Sequence, residues 1–114
     1  MTSGTAAINP RANAAIWGAL NGAVISLTRG LAIDLAPKRI RVNTVIPGLV
    51  ETELWNKLVL DEQERKIEIE KGSGTLLVPE IGQPHDIAEA YVYFMRADYS
   101  TGTTLVIDGG GLLA

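Results

Sequence analysis

The stretch LTRGLAIDLAPKRIRVNTVIPGLVET, residues 27–52, decides the fold because it joins the end of a helix to a buried strand. Its first part continues an apolar helical repeat, and Pro37 stops that helix. Residues 40–46 are rich in β-branched side chains with apolar character on both faces, as in a buried parallel strand, and Pro47 and Gly48 end it in a turn. This order predicts an α/β fold with parallel strands and right-handed crossovers.

The helix that precedes this strand has two distinguishable faces. Apolar side chains recur at helical spacing along one of them, at Ile16, Leu20, Val24, Leu27, Leu31 and Leu35. The second face carries Trp17, Asn21, Thr28 and Ala32 among small residues, which would let another helix or a ligand approach closely. Asn13 is the candidate N-cap.

The rest of the chain predicts further helices and one more strand. Residues 52–72 suggest one or two charged surface helices, capped by Thr52 or Asp61, and residues 72–84 have the composition of a loop. Pro84 suits the first turn of a helix over residues 85–96. We expect its inner side to carry Ile87, Tyr91, Phe94 and Met95. The segment TTLVID, residues 103–108, reads as a short strand.

Composition excludes several classes of function. A chain of 114 residues with 46% hydrophobic and 20% charged residues is expected to form one domain, residues 1–114. With no cysteine and one histidine, we expect no metal site. The net charge of −3 argues against nucleic acid as a partner. No run of about 18 apolar residues and no signal-like N-terminus is present, so we expect no membrane partner and a cytoplasmic location.

Three motifs together resemble one enzyme family. The stretch quoted above, then GQPHDIAEA (82–90) and STGTTLVIDGG (100–110), follow the order and approximate spacing of the C-terminal half of short-chain dehydrogenase/reductases. The resemblance begins near Ser3 and covers nearly the whole chain. It implies a truncated, partial Rossmann-like fold and a family relation to oxidoreductases that use NAD or NADP.

The family's two best-marked catalytic positions are altered in this sequence. Relatives carry a Tyr-x-x-x-Lys pair on the long helix, and counting back from the shared motif places Trp17 and Asn21 at those two positions. An indole cannot exchange a proton near neutral pH, and a carboxamide has no charge with which to shift a neighbour's pKa. Trp17 is interpreted first as a core aromatic and second as a ligand platform. The family's serine position falls near Ser3 or Thr5.

The resemblance also bears on the cofactor. No G-x-x-x-G-x-G turn precedes the long helix, so no cofactor is expected for the isolated chain. In relatives the loop matching residues 47–52 passes the nicotinamide and pyrophosphate, which makes Pro47, Gly48 and Thr52 cofactor contacts only if a nucleotide-binding half is supplied. Glu51, on the same loop, is the best carboxylate candidate for proton transfer.

The sheet is expected to lack a neighbour for the strand at residues 40–46. A family member would have one strand before Ser3, and two strands alone leave an open apolar edge. We therefore expect a homodimer through the long helix or the strand edge. Three functions stay open. The first is a non-redox catalyst (isomerisation, cyclisation or dehydration) acting on a small hydrophobic ligand. The others are a non-catalytic scaffold, and an oxidoreductase completed by another half or by a full-length dehydrogenase.

Overall fold

The predicted order of helices and strands is found in a computed structural model, which describes residues 1–54 and 62–114. The helices and strands are α1 (Ala15–Leu35), β1 (Thr44–Pro47), α2 (Glu62–Ser73), α3 (Pro84–Arg96) and β2 (Thr104–Ile107). Short 3-10 turns cover Thr5–Ala7 and Ala36–Lys38. The predicted cap at Asp61 lies outside the described residues.

The central strand β1 has hydrogen-bonded neighbours on both sides. It pairs in parallel with β2, with Thr44 opposite Thr104. On its other side Ser3 N donates to Val45 O at 3.0 Å, and Val45 N donates to Met1 O at 3.1 Å. The expectation that this neighbour is absent was therefore wrong, because the first three residues already form a short parallel bridge to β1.

The two faces of β1 are covered by different helices, as alternating side chains require. Val45 packs with Ala90 and Phe94 of α3 in the hydrophobic core. Thr44 points to the other face, where its hydroxyl pairs with that of Thr28 on α1. Because both faces are buried, the strand carries a continuous apolar and β-branched run rather than an alternating pattern.

Helix α1 packs on β1 through its face of small and polar residues. Thr28 and Ala32 are buried there, and Thr28 Oγ1 also donates to Val24 O at 2.7 Å, which satisfies the buried hydroxyl. Three residues of the apolar stripe instead face outward, Ile16, Leu20 and Leu27, exposed by 77%, 58% and 50%. Its other three members, Val24, Leu31 and Leu35, are half-buried. By length and composition alone, Ala15–Lys38 is apolar enough to cross a membrane (mean hydropathy 1.3), a property shared with core helices of folded domains.

The ends of α3 are fixed by specific polar contacts. At its start Gln83 N donates to a carboxylate oxygen of Asp86 at 2.7 Å, which completes a capping box. At its end the Arg41 guanidinium donates to Phe94 O at 2.7 Å and to Ala97 O at 3.1 Å. Arg41, which lies just before β1, thereby satisfies backbone carbonyls at the end of the helix.

Two local expectations were wrong. Asn13 does not cap α1; Ala14 is the N-cap, and Asn13 adopts a left-handed conformation with φ of 62°, which asparagine tolerates better than most residues. Met95 does not lie on the inner side of α3 but is exposed, and the small Ala90 takes the buried position beside Phe94.

Replacing Arg41 tests the cap at the end of α3. We expect Arg41→Gln to lower the free energy of unfolding by about 1–3 kcal/mol, because carbonyls of α3 would lose a charged donor. Urea unfolding followed by circular dichroism measures this. Arg29→Gln, at an exposed position of α1, is the matched control and should change stability by less than about 0.5 kcal/mol. Equal stability of the two variants would show that the cap contributes nothing.

Candidate functional site

A cleft of about 250 Å³ opens at the carboxyl edge of the sheet. Loops that follow each of the three parallel segments meet there, the position at which open α/β sheets usually bind ligands. The first wall comes from the loop after Met1–Ser3, the second from the loop after β1, and the third from the loop after β2. The described lining residues are Thr5, Asn9, Arg11, Gly48, Leu49, Gly72, Thr75, Leu76, Asp108, Gly111, Leu112 and Ala114.

Gly48 lets two of these loops come into direct contact. A Cβ at this position would lie 2.6 Å from Cα and Cβ of Asp108, closer than side-chain atoms are found to approach. Gly48 N donates to Ile107 O at 2.9 Å, which holds the two loops together. Of the three predicted cofactor contacts, Gly48 is on the cleft wall, Pro47 ends β1, and Thr52 lies half-buried farther along the loop.

Asp108 organises the loop after β2. Its carboxylate oxygens accept hydrogen bonds from Gly110 N at 3.0 Å and from Leu112 N at 2.9 Å. Asp108 also borders a second cleft of about 320 Å³, which shares Leu49 and Leu76 with the first and extends toward the start of α3. A carboxylate that accepts two backbone hydrogen bonds serves mainly to fix loop geometry.

Trp17 stands in the first turn of α1 with 63% of its surface exposed, so the interpretation as a core aromatic was wrong. The turn itself is tightly placed, since a Cβ on Gly18 would lie 3.0 Å from Ala6 O and 3.3 Å from Pro10 Cβ. The first turn of α1 therefore packs against the segment that supplies the first wall of the cleft. The indole offers an exposed aromatic surface rather than filling the interior.

Asn21 is tied to its own helix. Its Nδ2 donates to Trp17 O at 2.8 Å, one turn back along α1. The amide oxygen faces the backbone of Gly4, at which a built Cβ would lie 3.3 Å away. An uncharged amide held in this way cannot supply the cation that a family lysine supplies at this position.

The structure separates the two candidates for the serine position. Ser3 is buried, and its Oγ donates to Asn21 O at 2.8 Å, so its hydroxyl fastens the first strand segment to α1. Thr5 lines the cleft. Hydrogen bonds therefore connect Ser3, Asn21 and Trp17 into one cluster. Of the two candidates for the serine position, Thr5 is the one on the wall of the cleft.

Glu51 lies farther along the loop after β1, against the turn that leads into α3. Its backbone N donates to Gly82 O at 2.8 Å, and Gln83 Nε2 donates to Glu51 Oε2 at 3.3 Å. The described walls of the first cleft do not include Glu51. Its role in proton transfer stays a prediction.

Sequence reasoning missed Asn9 and Arg11, which it treated as part of a lead-in loop. The available signal was their position, because they follow a segment that pairs with β1 and so lie at the carboxyl edge of the sheet. Within residues 1–54 and 62–114, no group of three or more His, Asp or Glu side chains could hold a metal ion.

The residues fit a nucleotide cofactor only in part. Gly48 keeps the cleft floor open at the end of β1. In the described chain, however, the start of α3 is closed by its own capping box, and no Gly-rich strand-to-helix turn precedes α1. The phosphate cradle that a dinucleotide needs is not formed by these residues, so no step is assigned to the cofactor.

Comparison with known proteins places this geometry among oxidoreductases. A family model described as enoyl-(acyl carrier protein) reductase matches residues 1–111. A short-chain dehydrogenase/reductase of an Acremonium species, ucsE, is 39% identical over all of this chain and 42% of its own length.

Two solved structures are similar in fold. A small-chain dehydrogenase in complex with NADPH superposes with a TM-score of 0.92 at 36% identity, over 99% of this chain and 50% of that one. The MalC reductase/Diels-Alderase of Malbranchea aurantiaca has a TM-score of 0.88 at 36% identity, over 99% and 42%. The chain thus spans half or less of the length of these proteins.

A pair of glycine substitutions tests the close contact at the cleft floor. We expect Gly48→Ala to destabilise the fold by about 1–3 kcal/mol, because the added methyl group overlaps Asp108. Gly22→Ala is the control: it meets nothing within 4 Å on α1 and should stabilise the helix by up to about 1 kcal/mol. Thermal unfolding of both variants measures the difference, and a Gly48→Ala protein as stable as wild type would contradict the contact.

Proposed function

This chain belongs to the short-chain dehydrogenase/reductase family, and from that premise we propose that it binds a small hydrophobic substrate at the carboxyl edge of its sheet and promotes a non-redox step. The proposed step is an isomerisation, a cyclisation or a dehydration. The observation that supports the proposal lies on α1, at the two positions where the family carries its Tyr and Lys. There this helix has the exposed indole of Trp17 and the amide of Asn21, which is hydrogen-bonded to the backbone.

The two side chains on α1 do not support the family's proton relay. Trp17 can only donate a hydrogen bond, and the Asn21 amide is engaged with Trp17 O. Neither group can take a proton from a carbinol oxygen or lower the pKa of one that could. Hydride transfer by this chain alone is therefore the activity that these residues disfavour.

The cleft offers a small hydrophobic substrate apolar contacts on part of its wall. Leu49, Leu76 and Leu112 line it from three different segments. The family resemblance to MalC supports a non-redox reaction, because that relative's description names both a reductase and a Diels-Alderase. A cyclisation needs an enclosed apolar surface and a few placed donors rather than a bound nucleotide.

The first test is a titration of the chain with NADPH, followed by cofactor fluorescence. We expect no saturable binding at micromolar concentration, since the phosphate cradle and the cationic residue at position 21 are not in this chain. The double variant Trp17→Tyr with Asn21→Lys should not restore binding by itself. Micromolar binding by the wild-type chain would overturn the proposal in favour of an oxidoreductase.

A second test addresses the site residues directly once a turnover has been found. Replacing Trp17 by Ala, Asn21 by Ala and Glu51 by Gln in one protein should reduce that turnover at least tenfold if they belong to the site. Turnover unchanged within twofold would remove these three residues from the assignment while leaving the cleft as the binding site.

A second candidate role is supported by the outer surface of α1. Leu20 and Leu27 lie about 80–100° around the helix from the buried Thr28, so they form one flank together with Ile16. With a right-handed crossover from Met1–Ser3 to β1, that flank turns toward the open edge of the first strand segment. We propose that the flank and the edge are covered together, either by a second copy or by a nucleotide-binding half.

Light scattering at micromolar concentration tests this association. We expect a mass of at least twice 12.2 kDa for the wild-type chain, because a solvent-exposed stripe of this size is a typical association surface. Leu20→Lys should shift the mass to that of the monomer. Ile33→Lys is the control, since Ile33 is also an exposed apolar residue of α1 but lies on the opposite flank, so its replacement should leave the assembly intact. A sharply monomeric wild type would leave only the complementing half as the occupant.

A further inference from the structure

We propose that a groove at the amino edge of the sheet binds a medium-chain carboxylate, with the hydrocarbon chain along the groove and the carboxylate on Arg41. The groove has a volume of about 340 Å³, which is near the lower end of the range for small-ligand sites. Arg41, Val42 and Asn43 line it just before β1, so it lies at the edge opposite to the cleft. A ligand bound here is therefore distinct from the substrate proposed for the cleft.

The walls of the groove are mainly apolar. Met1 and Val42 line it from the sheet, and Tyr91, Phe94 and Met95 line it from the last two turns of α3. Phe94 is buried in the hydrophobic core, whereas Met95 is 73% exposed. A methionine side chain is flexible and polarisable, so Met95 can adapt to a hydrocarbon chain. Burial of hydrocarbon is thus the main contact that these walls offer.

Two polar side chains of the groove are already hydrogen-bonded within the chain. The Tyr91 hydroxyl pairs with that of Thr2. Asn43 Nδ2 donates to Ser100 O at 2.7 Å, and Asn43 Oδ1 accepts from Thr103 N at 3.3 Å. Both groups keep these partners when a hydrocarbon chain lies beside them, so an apolar ligand leaves neither of them unsatisfied.

Arg41 differs from these two residues because part of its guanidinium is not engaged. Nη1 donates to Phe94 O at 2.7 Å and to Ala97 O at 3.1 Å. Nη2 makes one long contact, 3.4 Å to Met95 O, and Nε makes no hydrogen bond with residues 1–54 or 62–114. A guanidinium has five N–H donors, so at least two of them remain for a ligand.

The charge of the groove favours an anion. Among the described residues that line it, Arg41 is the one cationic side chain and none carries a carboxylate. The carbonyls at the end of α3 have only the partial negative charge of a helix C-terminus, so they do not neutralise the whole charge of Arg41. A carboxylate can accept two hydrogen bonds from one guanidinium, which an alcohol of the same length cannot. The groove therefore suits a fatty acid better than a neutral hydrocarbon.

Titration of octanoate into the isotope-labelled chain, followed by amide NMR, tests this site. We expect saturable shifts of the Val42, Tyr91 and Met95 amides at about millimolar octanoate, as is usual for so small a ligand. Octanol should bind about fivefold more weakly, because it lacks the charge. Arg41→Gln should remove this preference, and Arg41→Lys, which keeps the charge, should retain part of it.

A second variant leaves the contacts of Arg41 with α3 intact. Met95→Glu places a carboxylate on the wall of the groove and should weaken octanoate binding about tenfold by repulsion. Ile33→Glu is the matched control and should bind as wild type does, because Ile33 is 74% exposed on α1. Shifts confined to Leu49, Leu76 and Asp108 would place octanoate in the cleft and overturn the site. Equal affinity of the wild type for octanoate and octanol would overturn the carboxylate assignment, and no saturable shift would overturn both.

Discussion

The structure depends on the hydrogen bonding of one short strand, β1. Its backbone is bonded on one side to β2 and on the other to the first three residues, and its side chains Thr44, Val45 and Ile46 are almost fully buried. A strand buried on both faces can be stabilised only if helices cover both faces, which fixes α1 above it and α3 below it. The loops that follow β1 and its two neighbours leave the sheet at the same edge. They meet there and form the cleft.

Sequence patterns predicted the elements well because their local signals agree with the packing. The Pro37 stop and Pro84 at the first turn of α3 each follow from the chemistry of the residue itself. The buried strand was predictable because its apolar character lies on both faces. The contribution of the first three residues was not, since three residues carry no periodicity.

The orientation of α1 could not be read from hydrophobicity. Ile16, Leu20 and Leu27 of its apolar stripe are exposed. Thr28 and Ala32 are buried instead, because the Thr28 hydroxyl bonds to Val24 O and pairs with Thr44, while Ala32 allows close approach to the sheet. The same limit applies to the cleft. Trp17 and Asn21 were identifiable from the family motif. The position of Arg11 on the cleft wall was not, because it depends on the path of a loop that has no repeat or motif.

The double support of β1 has a consequence for folding. One of its partners, Met1–Ser3, precedes α1 and the other, β2, follows α3, so β1 pairs with two segments that are far apart in the chain. Parallel pairing between distant segments forms slowly, because the intervening chain must first be ordered. Until both pairings have formed, the apolar flank of α1 and a half-paired strand stay exposed, and such intermediates are prone to association.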